Sequence, residues 1–428
     1  MVLIGLDKTS YLSVAGALIA NGTAEAPIVF TSALDTNYVQ TNLTGLAGSA
    51  GPGDWSGIQI EPGGNFTGSF VKFLYGGKTF KKSPGAMFTT RFHSNVIYNY
   101  GGVVSLDNAE FSDSYFDFSS DNEPYSALIW VEAPLGYDAS LTISNSNFNG
   151  GWRALKSFRQ ENGQTIEITL TDNTFRDFQS PDGLVISRRD FVNLSDSVFE
   201  NNASDAVGVE TWTLSQDYTL GSNVQYAFNS IFVPSGVVLT IDPGVRIKLA
   251  KYGSINVEGS IQANGTSEQP IIIESQNPNG KWGYIKFKNS NSVFNYANFV
   301  GGNLTSGMDV NASGALMAEN STLNLNNVNI LNSRPPGNAI YSLNSNLNIT
   351  NSVIGHSEEP NFDTAGIRAE GGAVILDNVT LQNLKFGIRG DFDDSGLLPH
   401  LELNNVTDTN FINVDYLWEP NTWLSPAE

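Results

Sequence analysis

The amino-acid sequence predicts an all-β solenoid, a parallel β-helix built of short strands and tight corners. A 29-residue segment occurs twice, and its copies Val2–Phe30 and Val245–Ile273 share 13 identical residues at an offset of 243 positions. Apolar and polar residues alternate along both copies, which is typical of strands with one buried face. A shorter motif recurs mostly every 24 to 27 residues, a period that indicates a solenoid turn.

The corners are expected at glycine and asparagine residues in equivalent places of the two copies. Gly16 and Gly259 interrupt the alternation, and an Asn-Gly-Thr step follows at 21–23 and 264–266. Both residue types tolerate positive φ and therefore favour turns. No helical pattern separates the strands, so we expect successive rungs of one coil.

The homology continues beyond the long repeat. Trp55 and Trp282 open corresponding strands, and an aromatic strand ending in Gly-Gly follows each of them. We therefore expect two tandem modules, at residues 1–214 and 215–428. The first module starts abruptly at Met1, and we expect its N-terminal rung to be truncated.

A short motif, an apolar residue followed by mostly polar residues, marks one strand of each turn. It starts at Leu106, Ile143, Leu170 and Leu194 in the first module, and at Leu325, Ile349, Leu376 and Leu403 in the second. Equivalent residues of successive turns are expected to stack. The expected stacks are Phe148, Phe175 and Phe199 inside the coil, and an amide ladder of Asn327, Asn351, Asn378 and Asn405. The period is too short for a propeller blade, which needs roughly 40–50 residues.

The composition excludes several kinds of site and partner. The absence of cysteine excludes disulfides, cysteine-ligated metals and a cysteine nucleophile. The three histidines lie far apart, which argues against a histidine-rich metal site and a Ser-His-Asp triad. The net charge of −21 argues against a nucleic-acid partner, because phosphates are repelled by such a surface. No apolar run is long enough to span a bilayer.

Several segments carry a family resemblance. They are LTIDPGVRI at Leu239–Ile247, the Ala-Asn-Gly-Thr segments within Gly16–Ser32 and Gly259–Ile271, and the strands that begin with tryptophan. In these segments the chain resembles the right-handed parallel β-helix modules of large bacterial and archaeal cell-surface proteins. The resemblance covers most of both modules and implies a right-handed coil at the cell surface. It is weak for function, because that family includes surface-layer proteins, adhesins and carbohydrate-active proteins.

Asparagine sequons are abundant. Asn-x-Ser/Thr motifs are acceptors for N-glycosylation when they are exposed and the host glycosylates asparagine. The alternative is that a chain rich in Asn, Ser and Thr contains such motifs by chance. The candidate acceptors are Asn42, Asn65, Asn193, Asn202, Asn303, Asn311 and Asn320.

A compact acidic loop makes calcium a candidate cofactor. Asp391, Asp393 and Asp394 lie close together before Gly396, and calcium prefers several carboxylate and carbonyl oxygens around a tight turn. The downstream Glu of an EF-hand loop is missing. The simpler interpretation is a solvated turn.

Two arginines and two acids are expected at matching outward positions of adjacent rungs, Arg368 with Glu370 and Arg389 with Asp391. Parallel β-helix lyases and glycosidases place such residues on outward positions, so the four could line a groove. The simpler interpretation is a set of surface ion pairs.

Aromatic residues cluster in the longest interval between equivalent rungs of the first module. Exposed aromatic side chains there could stack on sugar rings or on a neighbouring subunit, whereas burial of a loop over the coil would explain them equally well. The residues of this candidate binding surface are Tyr115, Tyr125, Trp130 and Tyr137.

The sequence favours a structural role. We expect a segment of an extracellular cell-surface protein, such as a surface-layer, sheath or filament subunit, which assembles with copies of itself or with neighbouring surface proteins. This interpretation predicts that the chain is not an enzyme. The alternatives are a carbohydrate-active β-helix enzyme, either a polysaccharide lyase or a glycoside hydrolase, and an adhesin that binds glycans.

Overall fold

A computed structural model gives the architecture of the chain. The residues that it describes are 2–6, 11–38, 48–78, 80–81, 92–93, 95–114, 127–159, 164–180, 184–187, 192–194, 196–222, 225–277, 280–303, 313–333, 337–358, 364–393, 395–405 and 411–420. They form two compact units, Met1–Glu210 and Thr211–Glu428. Each unit is a coil of short strands.

The following strands begin within the first unit, in chain order. They are β1 (Val2–Leu6), β2 (Tyr11–Val14), β3 (Ala17–Asn21), β4 (Ile28–Ser32), β5 (Gly57–Ile60), β6 (Asn65–Ser69), β7 (Val71–Leu74), β8 (Phe80–Lys81), β9 (Phe92–His93), β10 (Ile97–Tyr100), β11 (Val103–Asp107), β12 (Glu110–Ser112), β13 (Ile129–Ala133), β14 (Ala139–Ser144), β15 (Asn147–Gly151), β16 (Leu155–Arg159), β17 (Ile166–Thr171), β18 (Thr174–Phe178), β19 (Val185–Ser187), β20 (Val192–Asn193), β21 (Val198–Glu200) and β22 (Ala206–Thr213).

These strands form three parallel sheets, which are the three faces of a coil. The first face is β3-β6-β11-β14-β17-β20, the second is β1-β4-β7-β12-β15-β18-β21, and the third is β2-β5-β10-β13-β16-β19-β22. The chain visits the faces in a fixed order, so each strand pairs with its counterpart one turn away. The short β8–β9 pair is antiparallel and belongs to no face.

The second unit continues the numbering. Its strands are β23 (Tyr218–Leu220), β24 (Gln225–Val233), β25 (Val238–Ile241), β26 (Arg246–Val257), β27 (Ser260–Asn264), β28 (Ile271–Ser275), β29 (Tyr284–Lys288), β30 (Asn291–Asn295), β31 (Ala297–Val300), β32 (Gly314–Glu319), β33 (Thr322–Asn326), β34 (Asn329–Leu331), β35 (Gly337–Leu343), β36 (Asn346–Thr350), β37 (Val353–Gly355), β38 (Thr364–Glu370), β39 (Ala373–Asp377), β40 (Thr380–Asp391), β41 (His400–Asn404) and β42 (Phe411–Pro420).

The second unit has the same three faces. The first is β23-β25-β27-β30-β33-β36-β39-β41. The second is formed by β28, β31, β34 and β37, and the third by β29, β32, β35 and β38. The long strands β26 and β40 turn a corner and pair with both of these faces. All these pairings are parallel, and the predicted parallel β-helix is confirmed.

Aromatic stacking fills the interior of the first unit. The rings of Phe111, Phe148 and Phe175 are stacked with centroid separations of 4.8 and 4.6 Å, and Phe199 continues the stack at 5.6 Å. Parallel pairing in register places these side chains directly above one another. The predicted stacking of Phe148, Phe175 and Phe199 is confirmed, with Phe148 and Phe175 buried inside the coil and Phe199 half-buried at the end of the stack.

The predicted amide ladder is only partly right. Asn327, Asn351, Asn378 and Asn405 all occupy the left-handed region, with φ between 49° and 54°. Asn378 donates to the Oδ1 atom of Asn351 at 2.8 Å. The side chains of the other asparagines reach different acceptors, for example Asp377 for Asn405. The position recurs mainly because asparagine tolerates positive φ.

A buried tryptophan marks the same corner of each unit. The Nε1 atoms of Trp55 and Trp282 donate to the carbonyl oxygens of Leu74 and Val300, at 2.8 and 2.7 Å. Both side chains are completely buried. This confirms that the two tryptophan strands, inferred from the sequence, are structural equivalents. Among the described residues, no helix is long and apolar enough to cross a membrane.

Replacing Phe148 with alanine is expected to destabilise the chain by about 3–5 kcal/mol, because the change removes a buried ring and interrupts the stack. Phe392→Ala is the matched control, since Phe392 is 38% exposed. Urea unfolding followed by circular dichroism measures both. Equal losses in the two variants would contradict the stacked interior.

Candidate functional site

The outward positions of the third face of the second unit carry charged side chains on successive rungs. The strand registers align Met317, Tyr341, Arg368 and Arg389 in one column, and Glu319, Leu343, Glu370 and Asp391 in the next. Lys286 and Lys288 precede these columns on β29. We name the polar members the charged stripe: Lys286, Lys288, Glu319, Tyr341, Arg368, Glu370, Arg389 and Asp391.

Arg368 lies at the centre of the charged stripe. Its Nε atom donates to Oδ2 of Asp391 at 2.6 Å, and its Nη2 atom lies 3.7 Å from Oε1 of Glu370. The side chains of Arg368 and Asp391 are only 13% and 8% exposed. The expected alignment of Arg368 with Arg389, and of Glu370 with Asp391, on adjacent rungs is confirmed. The interpretation as surface ion pairs is wrong for Arg368 and Asp391, because both side chains are largely buried.

One oxygen of Asp391 is left unused by the described residues. Its Oδ1 atom is buried and has no hydrogen-bond partner among them. A buried acceptor without a donor is costly. This oxygen can accept a proton or a hydrogen bond from a bound molecule only when neighbouring side chains move aside, because the atom is buried.

Tyr341 sits one rung before Arg368 in the same column. Burial, and then the neighbouring carboxylate of Glu370, raise the pKa of the Tyr341 hydroxyl above its ordinary value. The hydroxyl therefore stays protonated at neutral pH and can donate a proton or a hydrogen bond.

The other cations of the charged stripe lie on both sides of Arg368. The guanidinium carbon of Arg389 lies 4.7 Å from the centre of the Phe386 ring. Lys286 and Lys288 approach the carboxylate of Glu319 at 2.7 and 3.7 Å. The hydrogen bond from Lys286, more than any other contact, lowers the pKa of Glu319. The sequence interpretation missed Tyr341 and both lysines, although their outward alternation along β29 and β35 could have indicated them.

The described acids of the predicted calcium loop bind protein groups. Oδ2 of Asp391 accepts from Arg368, and Oδ1 of Asp393 accepts from the amides of Ser395 and Leu397 at 2.9 and 2.8 Å. Asp394 lies outside the described residues. Within the part of the chain that the structure describes, no three acidic or histidine side chains form a metal-binding group. Calcium binding by this loop stays a prediction.

The residues of the predicted aromatic surface differ in exposure. Trp130 is buried, with the Nζ atom of Lys156 5.4 Å from its ring centre, whereas Tyr137 is exposed. Tyr115 and Tyr125 lie outside the described residues. The same face holds a buried pair that the sequence interpretation missed, in which the Tyr98 hydroxyl donates to Glu132 at 2.7 Å.

The sequons differ in how they are placed. Asn65 and Asn320 are exposed, and Asn193 lies in β20. Asn202 donates to the carbonyl of Phe175 and accepts from the amide of Phe178. Asn303 is buried and donates to a backbone carbonyl, so a glycan cannot be attached there in this conformation. Asn42 and Asn311 lie outside the described residues. Glycosylation of the exposed sequons stays a prediction.

Comparison with known proteins identifies a related domain in the second unit. Residues 212–290 match the model of a family described as "Pectate-lyase like beta helix domain". A solved structure of a mutant of the PL6 family alginate lyase AlyGC aligns over 97% of this chain and 89% of its own, with 9% sequence identity and a TM-score of 0.21. That likeness is too low to carry a functional inference. No curated protein matches the chain significantly.

The family match corrects one prediction. The sequence interpretation expected that the chain is not an enzyme, and the match to a pectate-lyase-like domain at residues 212–290 contradicts this. The prediction had rested on the tandem modules, the acidic charge, the sequons and the lack of a convincing catalytic set in the sequence. The structural cell-surface role gains no support from the match, whereas the carbohydrate-active alternative does.

Two ion pairs of equal length but different burial test whether the charged stripe is a desolvated cluster. Arg368→Met should destabilise the chain by about 3–5 kcal/mol, because it leaves a buried carboxylate unpaired. Arg246→Met breaks the more exposed 2.6 Å pair with Glu274 and should cost about 1 kcal/mol or less. Urea unfolding measures both variants. A loss for Arg368→Met as small as that for Arg246→Met would mean that the cluster is solvated.

Proposed function

We propose that this chain is a carbohydrate-active β-helix protein that binds an acidic polysaccharide along the charged stripe and cleaves it by β-elimination. The observation that carries the proposal is the cluster of Tyr341, Arg368, Arg389 and Asp391 on adjacent rungs. The pectate-lyase-like match in the same unit supports it. A polysaccharide substrate fits an extracellular location, which is part of the proposal.

Local charge supports an acidic substrate. With a net charge of −21, the chain as a whole repels polyanions, so binding needs cations concentrated at one place. The charged stripe supplies four cations, at Lys286, Lys288, Arg368 and Arg389. Three acids of the stripe pair with them, so its net charge is +1 within a chain that is strongly negative. Guanidinium groups also match the geometry of a carboxylate, which they can bind through two parallel hydrogen bonds.

The proposed chemistry balances within this cluster. Arg368 and Arg389 bind the uronate carboxylate, and this makes the hydrogen on the adjacent carbon more acidic. Once substrate binding has moved its neighbours aside, Oδ1 of Asp391 accepts that proton. The electron pair left on carbon forms a carbon–carbon double bond as the bond to the glycosidic oxygen breaks. The Tyr341 hydroxyl supplies the proton to the leaving oxygen. No water is consumed, which distinguishes this reaction from hydrolysis.

The test is a cleavage assay on a panel of acidic polysaccharides that includes polygalacturonate and alginate, with and without added calcium. Elimination creates an unsaturated uronate that absorbs in the ultraviolet, and we expect it with at least one substrate. Asp391→Asn and Tyr341→Phe should each lower the rate by about 100-fold or more. Glu274→Gln, on the second face, is the control and should retain full rate.

Three results would contradict the proposal. New reducing ends without ultraviolet absorbance would indicate a glycoside hydrolase. Binding without cleavage would indicate a glycan-binding protein. Full activity in correctly folded Asp391→Asn, as judged by its thermal midpoint, would place the chemistry elsewhere in the chain.

A further inference from the structure

A second polar cluster lies at the corner between the second and third faces of the second unit, outside the charged stripe. The Nζ atom of Lys281 donates to the backbone carbonyl of Asn332 at 2.6 Å. The side chain of Asn332 in turn accepts from the amide and the hydroxyl of Ser357, at 2.9 and 3.1 Å. His356 immediately precedes Ser357. We name Lys281, Asn332, Ser333, His356 and Ser357 the lysine corner.

The ammonium group of Lys281 has no acidic partner among the described residues. Its only hydrogen bond there is to the Asn332 carbonyl, so two of its three N–H donors bind none of the described residues. Burial lowers the pKa of Lys281, and no carboxylate acts against that effect. A half-buried cation is partly desolvated, and a counter-ion would offset that cost.

Two neighbouring groups are also suited to an anion. Burial, and then the nearby ammonium of Lys281, lower the pKa of His356 to about 4. An anion between the two side chains would relieve this repulsion. Ser333 follows the carbonyl that Lys281 binds, and its hydroxyl is buried without a hydrogen-bond partner among the described residues. A hydroxyl in that situation can donate to an oxyanion.

The equivalent corner of the first unit carries the opposite charge. There the sequence is Gly-Asp-Trp instead of Gly-Lys-Trp, so Asp54 stands where the second unit has Lys281. The Asp54 carboxylate is buried and accepts from the Ser32 hydroxyl at 2.7 Å and from the Gly51 amide at 2.9 Å. The Asp54 carboxylate is thus satisfied by donors of the chain, whereas the second unit presents a cation at the same place with one acceptor among the described residues.

We propose that the lysine corner is an oxyanion-binding site that takes a carboxylate or a sulfate group. The ammonium of Lys281 and the Ser333 hydroxyl would donate to the anion, and the imidazolium of His356 would be stabilised by it. The anion can come from free solutes or from an acidic sugar. The site does not depend on the cleavage chemistry of the charged stripe, and its test involves no turnover.

The experiment is a pH titration of the histidine ring protons by nuclear magnetic resonance, which is tractable because the chain has three histidines. The probes are inorganic sulfate, acetate and a galacturonate trimer, at constant ionic strength. Each probe that binds should raise the pKa of His356 by about one unit or more. Exposed His400 is the internal reference and should not shift.

Variants of Lys281 test whether its ammonium group is responsible for the shift in the His356 pKa. Lys281→Met should abolish the effect of every probe, and Lys281→Arg should preserve it. Lys248→Met is the control for loss of a surface cation and should behave like the unmodified chain. A shift with sulfate and acetate alone would assign the site to free anions, and a shift at lower concentrations of the trimer would assign it to a sugar carboxylate. An unchanged His356 pKa with all three probes, or an equal shift in Lys281→Met, would overturn the proposal.

Discussion

Parallel hydrogen bonding in register, from one turn to the next, is the constraint on which the rest of this structure depends. Most strands pair with their counterpart one turn later in the same alignment, so a side chain within a face has an equivalent directly above and below it. A slip of one residue would exchange the buried and exposed sides of a strand. The same constraint therefore determines the interior stack at Phe148 and the outward columns at Arg368.

Register explains why the interior and the outer surface were predictable to different degrees. Phe148 and Phe175 recur in a motif of constant spacing, and hydrophobic burial leaves one arrangement for such a repeat. The alignment of Arg368 with Arg389 followed from the same spacing. Burial of Arg368 did not, because the exposure of an outward side chain depends on the lengths and conformations of its neighbours. For that reason a partly buried cluster was taken for a solvated ion pair.

The asparagine and acidic positions show a second limit of the sequence interpretation. Asn378 and Asn405 recur at one corner, and a side-chain ladder was the expected reason. The backbone gives a stronger one, because each occupies the left-handed region, which few residues other than glycine accept readily. Asp391 and Asp393 formed a plausible calcium motif in the sequence, yet Oδ2 of Asp391 binds an arginine and Oδ1 of Asp393 binds backbone amides. Short polar side chains often bind the nearby backbone in this way.

The two units show how one scaffold accommodates different surface chemistry. Trp55 and Trp282 hold the same corner with the same hydrogen bond, while the residues before them have opposite charges. The fold retains the buried tryptophan contact in both units, whereas it leaves the identity of the preceding residue free to change. Function in such a coil is therefore determined by outward and corner residues, which the repeat leaves free to vary.

A pair of engineered cysteines tests the register most directly, because the chain has no cysteine of its own. Asn348 and Ile375 are register partners on β36 and β39. Neighbouring strands lie about 4.8 Å apart, within the range of roughly 4.4–6.8 Å that a disulfide spans. The account predicts that Asn348→Cys with Ile375→Cys forms a disulfide under mild oxidation, and that Asn348→Cys with Asp377→Cys does not. Efficient bonding of the second pair in place of the first would contradict it.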